Sequence, residues 1–137
     1  DYNFYIIGKC PYWITDKYKV NTKLHFCGRV DDVRMYIKKT SIFLAPISYG
    51  TGVKTKIVEA MAMNMPVITN SVGAEGIYAQ TGRDYIVYDD PQKIAQSVDL
   101  LLNNPSLAHE IGENAGKFVY AKFRWDKVLA VYKEIGV

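Results

Sequence analysis

Short apolar runs recur along this chain at intervals that leave room for a helix between them, and this alternation constrains the fold more than any other feature. The runs are Phe4 to Ile7, Leu24 to Cys27, Ile42 to Ile47, Val67 to Thr69 and Tyr85 to Tyr88. Each has the length of a strand, and little polar alternation accompanies them, as expected of strands covered on both faces. Strands that alternate with helices build a parallel sheet with helices above and below, so the expected fold is α/β. With 137 residues and no repeat, low-complexity tract or Gly/Ser linker, residues 1–137 are expected to form one domain.

The connecting segments carry helical signals. Asp31 to Thr40 opens with two acids and places Val33, Tyr36 and Ile37 on one stripe. Val53 to Asn64 puts Ile57, Val58, Met61 and Met65 on a buried face, with Asn64 as the stop and Pro66 shortly after it. From Pro91 onward the pattern is helical throughout: Pro91 to Leu102, Pro105 to Ala121 and Trp125 to Ile135. The sheet is therefore expected to be complete by about Asp90.

Several function classes are excluded at this level. Hydrophobic residues at 49% and charged residues at 23% are ordinary for a folded domain, and a net charge of +3 is scattered without a basic run, so no nucleic-acid partner is expected. Neither a signal peptide nor a membrane-spanning run stands out, and Cys10 and Cys27 lack metal or disulfide spacing, so a soluble, cytoplasmic domain with reduced thiols is expected. His25 and His109 have no nucleophile or carboxylate arranged around them, and the catalytic residues stay unassigned. Asp89 and Asp90 precede Pro91 and suit a loop and a helix cap; no metal site is expected.

The informative stretch is Pro46 to Glu75, in which a strand end, a glycine-containing loop and a helix follow in immediate succession. The first N–H groups of a helix lack intrahelical partners and carry partial positive charge, so phosphate oxygens are stabilised there. Gly50, Thr51 and Gly52 allow close backbone approach, Val53 and Thr55 continue the loop into the helix, and Lys54 adds a full charge. Glu59 stands in an otherwise apolar or small run and, as an acceptor-only group, suits the vicinal hydroxyls of a ribose. A second loop after a strand, Asn70 to Gly76, offers Ser71, Gly73 and Glu75 as sugar or phosphate contacts, with Tyr49 beside the first loop. A third, Gly28, Arg29 and Val30, is a candidate edge for the base. An isolated GxG reads first as a plain turn with solvated lysines, and it is the strand before it and the helix after it that weigh against that.

The run FCGRVDDVRMYIKKTSIFLAPISYGTGVKTKIVEAMAMNMPVITNSVGAEGI resembles the C-terminal domain of family-4 retaining glycosyltransferases, the glycosyl transferases group 1. Its most specific part is EAMA followed by PVI, and the likeness extends from Phe4 to Trp125. The resemblance implies a Rossmann-like parallel sheet, the C-terminal half of a GT-B fold. It implies that Glu59 binds donor ribose hydroxyls and that loop amides at Gly52, Val53, Lys54 and Thr55 hold the diphosphate. Where the family usually has an earlier glutamate, eight residues before Glu59, this chain has Thr51, inside a GxGxKxK pattern that resembles a sub-branch.

Two features of the family have no match: a basic pair for the diphosphate and a first strand preceding Phe4. In a sheet of order 3-2-1-4-5-6 that strand is central, and without it two neighbours lose their shared partner or pair differently. The resemblance thus implies a fragment of a two-domain enzyme that transfers sugar from a nucleotide sugar with retention and needs no cofactor beyond that donor substrate. The acceptor domain would be N-terminal, peripheral membrane association would come through the full-length enzyme, and the isolated fragment would be inactive. Two other readings stay open: a noncatalytic nucleotide-binding or assembly module, and half of a GT-B-type sugar-nucleotide epimerase.

Overall fold

The computed structural model describes residues 2–124, and the helix expected over Trp125 to Ile135 lies outside them. The described chain divides into two compact units, broken between Lys39 and Thr40. No glycine or serine linker marks the break.

The first unit holds β1 (Phe4–Ile7), α1 (Tyr12–Lys17), β2 (Leu24–Gly28) and α2 (Arg34–Ile37). β1 and β2 pair in parallel, Tyr5 opposite His25, with an irregularity between Ile6 and Ile7. That register stacks the Tyr5 and His25 rings at 4.9 Å, and Tyr36 tilts against Tyr5 at 6.5 Å. The expectation that these strands are covered on both faces does not hold here: no residue of β1 or β2 is fully buried. Two strands and two short helices carry too little apolar surface to close over both faces. The helix expected over Asp31 to Thr40 also shrinks to a single turn. Asp32 accepts the Arg34 N–H at 2.9 Å and pairs with its guanidinium at 2.9 and 3.0 Å, a side-chain turn that competes with helix over the preceding residues. The α1 helix was not legible: its N-cap is Pro11, with no side-chain cap.

The second unit holds β3 (Phe43–Ala45), α3 (Thr55–Ala62), β4 (Val67–Thr69), α4 (Ser71–Ala74), β5 (Ile86–Val87), α5 (Pro91–Asn103) and α6 (Pro105–Lys122). Its parallel sheet has the order β3-β4-β5, with Phe43 opposite Val67 and Ile68 opposite Ile86. The central strand β4 is buried throughout, as its apolar run predicts. Around Ile68 the core gathers Ile86, Val98, Leu101 and Ile111. Ile57, Ala60 and Met61 form the buried face of α3, and α3 packs against α6. Strand ends are shorter than the apolar runs suggest, because pairing with β4 stops at Ala45 on one side and Val87 on the other.

The helix signals acted where they stand in the sequence. Asp90 accepts the Gln92 N–H at 2.8 Å and Asn104 accepts the Leu107 N–H at 3.2 Å, each before a proline in the first turn. Asn64 follows α3 at φ 58°, the left-handed conformation that terminates a helix. Among the described residues no helix is long and apolar enough to cross a membrane.

Candidate functional site

Within the second unit, both loops that leave the carboxyl ends of β3 and β4 are fastened to each other by the residues that end β4. The Thr69 hydroxyl donates to the Ala45 carbonyl at 2.7 Å. The Asn70 side chain then holds both backbone groups of Ile47: its Oδ1 accepts the Ile47 N–H at 3.1 Å and its Nδ2 donates to the Ile47 carbonyl at 2.8 Å. The same Oδ1 accepts the Gly73 N–H at 3.1 Å, which makes Asn70 the N-cap of α4. Gly73 is glycine for lack of space, since a Cβ there would stand 1.9 Å from the Thr69 hydroxyl and 3.3 Å from the Ala45 carbonyl. A Cβ on Gly76 would meet Val53 Cγ2 at 2.9 Å, so the second loop also lies against the first at its far end.

The first loop reaches α3 through Gly50 at φ 120° and Gly52 at φ 71°, values that only glycine adopts without strain. No side chain caps α3, and its first backbone bonds run from the Ile57 and Val58 N–H groups to the Lys54 carbonyl at 2.9 and 3.3 Å. The N–H groups of Thr55 and Lys56 are left without intrahelical partners, at the positive end of the helix dipole. Groups so placed are the kind that can stabilise an anion.

Lys54, expected to add a full charge at the loop, has that charge already engaged. It is the N-cap residue in extended conformation, not a residue of the helix, and its Nζ turns back to donate to the Gly52 carbonyl at 2.6 Å and the Gly50 carbonyl at 3.4 Å. The positive φ of both glycines lets their carbonyls converge on the ammonium. Glu75 Oε2 completes the set at 3.3 Å, so the two loops are joined by an ion pair as well.

The other expected residues fall as follows. Thr51 and Val53 are exposed on the first loop, and Tyr49 beside it is 87% exposed. Glu59 is exposed, off the buried face of α3, one turn beyond Thr55. Side chains of a helix lean toward its N-terminus, which inclines Glu59 to the loop end of α3. Gly73 is buried, and Ser71 is exposed at the start of α4. Gly28, Arg29 and Val30 belong to the first unit, where Gly28 ends β2 at φ 66° and Arg29 is exposed.

Sequence reading gave Asn70 no role within its loop and took Asp89 only as a loop or cap residue. The signal for Asn70 was present, because an Asn directly after a strand and three residues before a glycine is a capping pattern. Asp89 accepts both the N–H and the hydroxyl of Ser71, at 3.0 and 2.7 Å, and these bonds hold its carboxyl below the ordinary aspartate range. A carboxylate depressed on folding contributes stability above its unfolded pKa, and loses it as pH falls through the folded one. Acidification below about pH 5 is therefore expected to lower the urea midpoint of the wild type more steeply than that of Asp89→Ala. Parallel curves for the two proteins would contradict this.

Residues 1–104 match the family model described as Glycosyl transferases group 1. The chain is 31% identical to the glycosyltransferase MJ1178 of Methanocaldococcus jannaschii, over 98% of this chain and 41% of that protein. It is 25% identical to the lipopolysaccharide core biosynthesis mannosyltransferase LpcC of Rhizobium leguminosarum, over 85% of this chain and 34% of that protein. Among solved structures it resembles the sucrose-phosphate synthase of Thermosynechococcus elongatus, with a TM-score of 0.76 and 20% identity over 96% of this chain and 38% of that one. It also resembles Anabaena HepE in complex with UDP, with a TM-score of 0.74 and 16% identity over 98% of this chain and 39% of that one. The fold is thus that of one part of a GT-B protein, and the chain spans about two fifths of the length of MJ1178.

Proposed function

The chain belongs to the glycosyl transferases group 1, and from that membership we propose that it is the donor-binding domain of a retaining glycosyltransferase, taking a nucleotide-diphosphate sugar. One observation carries the reading: the Gly50–Gly52 loop delivers the chain into an uncapped α3, with Lys54 at the junction and the Asn70 latch holding the loop in place. The solved structures of HepE with UDP, and with UDP and glucose, support this class of ligand.

In this reading the Gly52, Val53, Lys54 and Thr55 amides face the diphosphate, and Glu59 accepts from the ribose hydroxyls. Transfer breaks the bond between the sugar's anomeric carbon and the diphosphate oxygen, and negative charge collects on the departing diphosphate. Amides fixed before the reaction stabilise that charge without reorganising, which is where such a site lowers the barrier. Ser71 and Gly73, expected as sugar or phosphate contacts, do not serve as donors: the Ser71 N–H and hydroxyl are held by Asp89, and Gly73 is buried with its N–H on Asn70. Tyr49 offers an exposed flat surface beside the first loop. The acceptor, and the group that takes its proton, would come from a further domain. The donor's own leaving group supplies the chemistry, so the reading assigns no cofactor.

Calorimetric titration with uridine, guanosine and adenosine diphosphates tests it. One of the three is expected to bind, and the matching nucleoside to bind at least roughly ten-fold more weakly, because charge-assisted bonds to the phosphates carry the affinity. Failure of all three to bind would remove the donor site.

A further inference from the structure

The Lys54 ammonium is saturated with partners. It has three protons and no more, and they meet three acceptors, the Gly52 carbonyl at 2.6 Å, the Gly50 carbonyl at 3.4 Å and Glu75 Oε2 at 3.3 Å. With only 15% of the Lys54 side chain exposed, bulk water cannot substitute freely for them. An anion that joins Lys54 must therefore displace one of the three.

The three differ in how readily they give way. The two carbonyls belong to the loop that the glycines and the Asn70 latch hold in shape, so losing either means rebuilding the loop. Glu75 is a side chain 50% exposed, standing at the C-cap of the short α4, and it can swing outward by rotating its own bonds. It is also the one partner with a full negative charge, so it repels any phosphate that approaches the same ammonium.

We infer that Glu75 is an internal anion that neutralises Lys54 in the empty site and is expelled by the ligand's phosphate. The inference rests on the donor-site reading above and reverses the expectation for Glu75, from a residue that contacts the donor to one that competes with it. Its presence keeps a mostly buried ammonium paired when no ligand is bound, since an unpaired buried charge is costly. Its expulsion makes the site selective, because trading one carboxylate for another gains nothing, whereas a diphosphate brings more charge than it replaces.

The test is a titration of the full natural chain with whichever of the three nucleoside diphosphates binds tightest. Removing a half-exposed competitor is expected to tighten binding by about two- to five-fold in Glu75→Gln, and similarly in Glu75→Ala. The gain should vanish when Glu75→Gln is placed in a Lys54→Gln background, and the parent nucleoside should bind all these proteins alike. Thermal melting of each variant verifies that it is folded. Glu75→Gln binding no better than wild type, or a gain that persists without Lys54, overturns this inference and leaves the donor site standing. Absence of nucleoside diphosphate binding in wild type and every variant overturns both.

Discussion

Gly112→Ala is expected to destabilise the chain by roughly 3 kcal/mol, at the upper end of what one added methyl costs in a packed interior. The Cβ it introduces would stand 2.1 Å from the Asn64 carbonyl oxygen and 3.0 Å from that carbonyl's carbon. These are backbone atoms of a residue held at φ 58° at the end of α3, so they have no rotamer by which to withdraw. Relief requires α6 to lift from α3, which opens the contacts of Ile111, Ala115 and Val119, all buried on α6. The gain of about 1 kcal/mol in helix propensity from Gly to Ala does not offset that.

Gly116, one turn along, provides the control. A Cβ there would come closer still, 1.8 Å, but to the Asn64 side-chain oxygen, which can rotate away. Gly116→Ala should therefore be much milder despite the shorter distance. Urea unfolding of the two variants against wild type measures the difference, and equal costs would show that the rigidity of the Asn64 backbone is not what matters.

The second large effect is on binding. Glu59→Ala is expected to weaken the preferred nucleoside diphosphate by roughly ten- to a hundred-fold, the range for losing hydrogen bonds to a charged acceptor. Exposure of Glu59 on α3, away from Ile57, Ala60 and Met61, means the fold does not need its side chain, so melting should change little. A ligand with a 2′,3′-dideoxyribose separates the causes: it should bind wild type and Glu59→Ala alike if the carboxylate acts through the hydroxyls. A comparable loss with that ligand, or none with the natural one, would place the ribose elsewhere.

These two predictions draw on different levels of information. Glu59 was visible as a carboxylate stranded in an apolar helical run, and the Gly50-to-Gly52 loop as a break between a strand and a helix. The cap before Pro91, the prolines that open α5 and α6 and the stop at Asn64 were equally legible, because each signal lies within about one turn of the helix end it governs. The parallel pairing of strands followed from their alternation with helices. Gly112 and Gly116, by contrast, read only as two small residues in a helix, and nothing local says that Asn64 will sit against them.

What the sequence determined by itself, then, was the order of strands and helices among the described residues, apart from the short α1 and α4, and the strand-to-helix junction that leaves N–H groups unpaired at the start of α3. Hydrophobic period, capping and backbone freedom are properties of neighbouring residues and need no knowledge of the rest of the chain. Only the tertiary structure decided that β4 stands between β3 and β5, that Asn70 grips Ile47 across 23 positions, and that Glu75 neutralises Lys54 across 21. Those contacts form because β3 and β4 pair side by side and carry the ends of their loops together. Such a juxtaposition is set by sheet order, which residue spacing along the chain does not encode.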